Sequence, residues 1–204
     1  MAKIKICGLT RMQDIEAVNK ALPDYVGFVF AESRRQIGTN MAKALKSRLN
    51  PSIEAVGVFV NEDPANIVKL CESHVIDLIQ LHGDEDEDYI NSLRRYVPNK
   101  IIKAVRVKSS QDIERARDIH CDYLLFDAWH EKKYGGLGRS FDWSLITGID
   151  RPYFLAGGIN PANVLEAVKS CSPYCIDVSS GVETDGLKDP DKIMEIVTMV
   201  RKGG

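Results

Sequence analysis

Residues 53–81 read IEAVGVFVNEDPANIVKLCESHVIDLIQL, and the pattern of this stretch decides the fold. Its first eight residues form a strand-sized apolar run rich in β-branched valine. Asp63 followed by Pro64 then marks a helix start, the carboxylate as N-cap and the proline as first helical residue. Over DPANIVKLCESH, residues Ile67, Leu70 and Cys71 recur at i, i+3, i+4 and share one face. A second strand-sized run, IDLIQL, completes the unit.

Working outward, the same unit recurs along the chain. Strand candidates are KIKIC, DYVGFVF, IEAVGVFV, IDLIQL, KIIKAVRV, CDYLLFD, RPYFLAG and YCIDVSS. Amphipathic patterns lie between them, Asn160-Pro161 repeats the capping signal, and KDPDKIMEIVTMVRK closes the chain as a helix. No Ser/Gly/Pro-rich linker or low-complexity tract interrupts residues 1–204, which read as one domain. Strict alternation of strand and helix implies a parallel sheet with helices outside. Eight units of roughly 25 residues predict an α/β fold, a closed (β/α)8 TIM barrel. The alternative, an open doubly wound sheet, lacks support because the first turn is CGLT and not GxGxxG.

Composition sets the outer limits. Of 204 residues, 44% are apolar and 27% charged, as in ordinary globular proteins. The net charge of −2 comes from interspersed signs, a field that recruits neither nucleic acid nor an anionic membrane. The longest apolar runs fall far short of the ~20 residues that span a bilayer. MAKIKICG has no signal-peptide core, so the expected location is the cytoplasm, and a monomer is the expected state. Five cysteines, an odd number, read as free thiols, and Cys171 with Cys175 lacks zinc-ligand spacing.

In such a barrel, chemistry gathers at the C-terminal strand ends. In order these carry Cys7, Ser33 with Arg35, Asn61, His82, Arg106, Asp127, Gly157-Gly158 and Ser179-Ser180-Gly181. The strand bodies, by contrast, are Val, Ile, Leu and Phe. Two glycine turns, LAGGINPAN and DVSSGVE, suit close approach to a phosphate by backbone N–H groups. Arg35 stands where it can meet a carboxylate or an aromatic ring, whereas most Arg-Arg pairs are solvated. The acidic run Asp84–Asp88 reads as a solvated helix start; no second acidic cluster completes a metal shell. Cys7 and Asp127, on nearly opposite sides of the ring, form a workable acid–base pair across a substrate. Asp127 also opens the long loop AWHEKKYGGLGRSFDW, whose glycines at 135, 136 and 138 suit a lid.

KICGLT, SRR, GVFVN, LIQLHGDE, LLFDAW…GGLGRSFDW, LAGGINPANV and DVSSGVE together resemble the phosphoribosylanthranilate isomerase family of tryptophan biosynthesis. The blocks keep the family's order and spacing over residues 3–183. The resemblance implies a cofactor-free barrel that isomerises a phosphosugar, N-(5-phosphoribosyl)anthranilate, by an Amadori rearrangement. It assigns the general base to Cys7, the general acid to Asp127 and the anthranilate contact to Arg35. Phosphate binding falls to Gly157, Gly158, Ser179, Ser180 and Gly181, and Asp177 meets the sugar or amine. Two residues depart from the family pattern. Arg34 replaces a proline, which predicts a looser loop, and Leu137 replaces a threonine in the lid.

For that chemistry both Cys7 and Asp127 need shifted pKa values, with the cysteine as thiolate and the aspartate protonated. Rival readings are another phosphosugar barrel enzyme, such as a pentose-phosphate epimerase or indole-glycerol-phosphate synthase, and a non-catalytic phosphosugar-binding barrel. The first expects metal ligands or catalytic lysines at strand ends, where the sequence shows no lysine. The second does not require both Cys7 and Asp127.

Overall fold

The computed structural model describes residues 1–128 and 141–203. Eight parallel strands form a closed barrel in chain order: β1 (Lys3–Cys7), β2 (Tyr25–Val29), β3 (Glu54–Phe59), β4 (Leu78–Leu81), β5 (Lys100–Val107), β6 (Tyr123–Ala128), β7 (Tyr153–Leu155) and β8 (Cys175–Val178). Closure is made by β1, which pairs Cys7 with Gly27 of β2 and Ile6 with Val178 of β8. The expected (β/α)8 architecture is therefore present.

Seven α-helices lie among the described residues: α1 (Met12–Ala21), α2 (Thr39–Lys46), α3 (Pro64–Glu72), α4 (Glu87–Arg94), α5 (Ser110–Ala116), α6 (Val164–Cys171) and α7 (Pro190–Lys202). Between β6 and β7 the described residues hold only a 3-10 turn, Trp143–Leu145. Residues 129–140, which include the proposed lid glycines and Leu137, lie outside the described residues. α3 begins as its sequence predicts: the Asp63 carboxylate accepts from the Ala65 N–H and Pro64 opens the helix. The signal at Asn160-Pro161 misleads by a turn. There Asn160 accepts from Ala162 N–H within the loop, and α6 starts only at Val164.

Alternation along the strands separates two environments. Ile4, Ile6, Ile79, Leu124, Phe126 and Ile176 belong to the large core that includes the helices' apolar residues. Tyr25, Val56, Leu78, Ile102, Tyr123, Leu125, Phe154 and Cys175 form a second cluster, on the opposite strand faces, filling the barrel interior. Phe154 meets the rings of Tyr25, Tyr123 and Tyr174 at centroid distances of 5.6, 5.5 and 5.8 Å. Further along the same inward faces the filling turns polar, with Lys5, Gln80, Asp127 and Asp177 all buried. A hairpin, β9 (Glu183–Thr184) and β10 (Leu187–Lys188), follows β8 at that polar end.

Candidate active site

Cys7 ends β1 and Asp127 lies near the end of β6, with β7 and β8 between them around the ring. Both are nearly buried, at 8% and 4% exposure. Gly27 makes room for the thiol: a Cβ there would stand 2.5 Å from the Cys7 sulfur. Ser179 anchors the neighbouring turn by donating its hydroxyl to the Cys7 carbonyl at 3.0 Å.

A polar chain crosses the barrel beneath this rim. Lys5, fully buried two residues before Cys7, donates to Asp177 Oδ2 at 2.9 Å and to Gln80 Oε1 at 2.8 Å. Gln80 Nε2 lies 2.8 Å from His82 Nδ1, and His82 Nε2 lies 3.2 Å from Asp127 Oδ2, off line for a hydrogen bond. The chain thus links the two proposed catalytic walls. It leaves His82 Nε2 and Asp177 Oδ1 buried without hydrogen-bond partners. Orphaned polar atoms are rare inside proteins, and each calls for an explanation such as a bound water or a polar ligand.

The electrostatics of Cys7 differ from the sequence expectation. Burial pushes the thiol pKa up, Lys5 pulls it down, Asp177 pushes it up and Lys188 pulls it down; the net shift is upward. At rest the residue is a thiol, and ionisation depends on the two ammonium groups. Lys5 has its own pKa raised: burial opposes the charge, but Asp177 and Cys7 more than offset it. The expectation that no lysine serves this rim is corrected accordingly. KIKIC alternates, so Ile4 and Ile6 face the helices while Lys5 faces inward.

A second cluster flanks Cys7. The stem of Arg35 lies on Gly8, where a Cβ would clash with Arg35 Cδ. Its guanidinium grips Glu183 with both prongs, Nε to Oε1 at 2.6 Å and Nη2 to Oε2 at 3.0 Å. Arg34 joins the same carboxylate at 2.6 Å and Lys188 at 2.7 Å. Burial pushes the Glu183 carboxyl up, but Arg35 and Lys188 prevail and hold it low. Arg34 thus gives its loop a tether to Glu183 where the family pattern has a proline. The sequence reading missed Glu183 and Lys188, although TDG between them is a hairpin signal. Asp185 and Gly186 both have positive φ, as a two-residue hairpin turn requires.

The two glycine turns meet. Gly181 packs so closely on Ile159 that a Cβ would strike the Ile159 carbonyl, which brings the turn after β8 against the turn after β7. Gly157 adopts φ 86°, a left-handed conformation, with the Ala128 N–H 2.8 Å from where its Cβ would be. Gly158 is fixed through its carbonyl, which accepts from the side chains of Asn160 and Asn163.

Other strand-end residues serve loops. Asn61 accepts from the Asp84 N–H, and Arg106 pairs with Asp84 at 2.6 Å. In the acidic run, Asp86 caps α4 as expected, accepting from the Tyr89 N–H. Glu85 corrects the reading of that run as solvated. It is buried, paired with Lys103 at 2.8 Å, and accepts from the N–H groups of Asn61 and Gly83. Two surface clefts border Tyr174, one with Arg151 and Tyr153, the other with Lys3 and Leu165. Neither holds a residue of the polar rim.

A closed parallel barrel with its buried polar groups gathered at the C-terminal strand ends places this molecule among the (β/α)8-barrel proteins. Within that class, the family profile of N-(5'phosphoribosyl)anthranilate (PRA) isomerase matches residues 4–199, and the chain belongs to this family. It is 51% identical over 201 residues to the N-(5'-phosphoribosyl)anthranilate isomerase of Endomicrobium trichonymphae, covering 98% of this chain and 99% of the relative. The phosphoribosyl anthranilate isomerase structure from Thermotoga maritima superposes with a TM-score of 0.87 at 36% identity, each chain covered completely. A further isomerase structure holds reduced 1-(o-carboxyphenylamino)-1-deoxyribulose 5-phosphate. It gives a TM-score of 0.85 at 35% identity, covering 99% of this chain and 100% of the other.

Proposed function

We propose that this chain isomerises N-(5'-phosphoribosyl)anthranilate in tryptophan biosynthesis, with Cys7 as general base and Asp127 as general acid. Family membership supplies the isomerase activity. The observation that carries the site assignment is the pair of orphaned buried atoms, His82 Nε2 beside Asp127 and Asp177 Oδ1 beside Lys5.

Asp127, carrying a proton, gives it to the furanose ring oxygen, and the ring opens to a Schiff base. Cys7, as thiolate, takes the proton from C2 of the sugar. The resulting enolamine tautomerises to the ketone, 1-(2-carboxyphenylamino)-1-deoxyribulose 5-phosphate. Lys5 acts on the Cys7 wall: its charge favours the Cys7 thiolate and orients Asp177, which meets the sugar or amine. The turns of Gly157-Gly158 and Ser179-Ser180-Gly181 take the phosphate, and Arg35 takes the anthranilate carboxylate. Phosphate binding far from C2 supplies energy that positions C2 against the thiolate. The chain works in this reading as a single barrel over residues 1–204, a cytoplasmic monomer without cofactor or metal. No helix among the described residues is long and apolar enough to cross a membrane.

The test is a fluorescence assay with phosphoribosylanthranilate made in situ and no added metal. Purified chain is expected to discharge the substrate's fluorescence, and Asp127→Asn to slow this about 10²- to 10⁴-fold. No discharge by the unaltered chain would sink the activity. An unimpaired Asp127→Asn enzyme would sink the acid assignment alone.

A further inference from the structure

We propose that Arg34 is a positioning residue for carboxylate recognition: it holds Glu183 when Arg35 leaves that partner for the carboxylate on the substrate's aromatic ring. The inference rests on the reading of Arg35 given above and adds a condition for its release.

The argument is one of satisfiability at Glu183, whose side chain is 5% exposed. Its Oε1 accepts from Arg35 Nε and Lys188 Nζ, and its Oε2 from Arg34 Nη2 and Arg35 Nη2. If Arg35 departs, each oxygen keeps one cation, Lys188 on Oε1 and Arg34 on Oε2. If Arg34 is absent as well, Oε2 is left as a buried, bare carboxylate oxygen, which is strongly penalised. Lys188 is a poor substitute on both oxygens, since it is itself buried and also donates to the Ser179 carbonyl at 2.9 Å. Without Arg34, Arg35 is therefore committed to Glu183.

Placement separates the two arginines. Arg35 is 12% exposed, with its stem on Gly8 beside Cys7, so it borders the reacting end of the site. Arg34 is 55% exposed and rests on the hairpin turn, 3.2 Å from where a Cβ at Gly186 would be. It reaches Glu183 from outside. Three cations around one carboxylate also leave a local surplus of positive charge, which favours an incoming carboxylate where a neutral Arg–Glu pair would not.

The experiment compares binding of reduced 1-(o-carboxyphenylamino)-1-deoxyribulose 5-phosphate with binding of its phenylamino counterpart, which lacks the carboxylate. The ratio of the two dissociation constants measures carboxylate discrimination. Arg34→Gln is expected to shrink that ratio about two- to fivefold, raising KM at unchanged kcat. In a Glu183→Gln background, whose amide needs no cation, Arg34→Gln is expected to have no effect on the ratio. Thermal melting confirms that each variant is folded. If Arg35→Ala abolishes discrimination but Arg34→Gln leaves it intact, the handover is overturned and the Arg35 reading stands. If Arg34→Gln acts equally in both backgrounds, Arg34 touches the ligand itself and the positioning role is overturned. Full discrimination in Arg35→Ala overturns the Arg35 reading.

Discussion

A cysteine that acts as a base must give up its proton and then take one from carbon. Cys7 sits where burial opposes the first step and two ammonium groups, Lys5 and Lys188, assist it. The net upward shift makes the thiolate scarce at neutral pH and strongly basic once formed. Because turnover needs Cys7 ionised and Asp127 protonated at once, the sign is read in Asp127→Asn, whose amide does not titrate: its residual kcat/KM is expected to rise with pH across roughly pH 6 to 9, following the thiolate fraction. A profile that is flat over this range in that variant would remove Cys7 as the ionising base. Cys7→Ser is expected to lose about 10²- to 10⁴-fold in turnover with an unchanged melting temperature, since a hydroxyl is far harder to ionise. Near wild-type turnover in that variant would leave Cys7 as a packing residue. Cys7 was legible because an apolar run ends on it just before a turn. Lys5 was not, because charge inside a barrel contradicts the expectation of apolar filling and makes sense only once Asp177 and Gln80, distant in sequence, close around it.

At the scale of elements, the turns after β7 and β8 behave as one piece, joined where Gly181 touches Ile159. A methyl group at Gly181 would meet backbone atoms of Ile159 and Asn160, which cannot yield as a flexible side chain would. Gly181→Ala is therefore expected to lower stability by more than about 1 kcal/mol and to raise KM, with the phosphate turn forced out of register. Comparison of KM for the full substrate with inhibition by inorganic phosphate checks this. If both are unchanged, the turn is not the phosphate site. The pairing of these two turns could be anticipated because both carry glycines at adjacent strand ends. The hairpin of β9 and β10 left a signal in TDG that the sequence reading did not use, and its purpose was not visible there. Glu183 gains its role from Lys188 within the hairpin and from Arg34 and Arg35, which arrive from the other side of β1. Helix positions were read well where a cap and a proline coincide, as at Asp63-Pro64. At Asn160-Pro161 side-chain bonds within the loop captured the same signal, and α6 began later.

Taken whole, the barrel divides its interior by height, and the division separates stability from chemistry. Toward the N-terminal strand ends the filling is aromatic, with Phe154 packed among Tyr25, Tyr123 and Tyr174 and fully buried. Toward the C-terminal ends it is the polar chain from Asp177 through Lys5, Gln80 and His82 to Asp127. No residue of the aromatic cluster hydrogen-bonds to a member of that chain among the described side chains. Phe154→Ala removes a ring from four-way aromatic packing and leaves a cavity that rigid strands cannot close. A loss of about 3 to 5 kcal/mol in stability is expected. For a chain of this length that lowers the melting temperature by about 6 to 20 °C. The rim stays anchored by its own ion pairs, so turnover measured well below the new melting temperature is expected to remain within about twofold of wild type, an allowance consistent with distant sites acting independently. A variant that is folded at the assay temperature yet has lost tenfold or more in kcat would show that the aromatic filling shapes the rim, and the separation by height would fail.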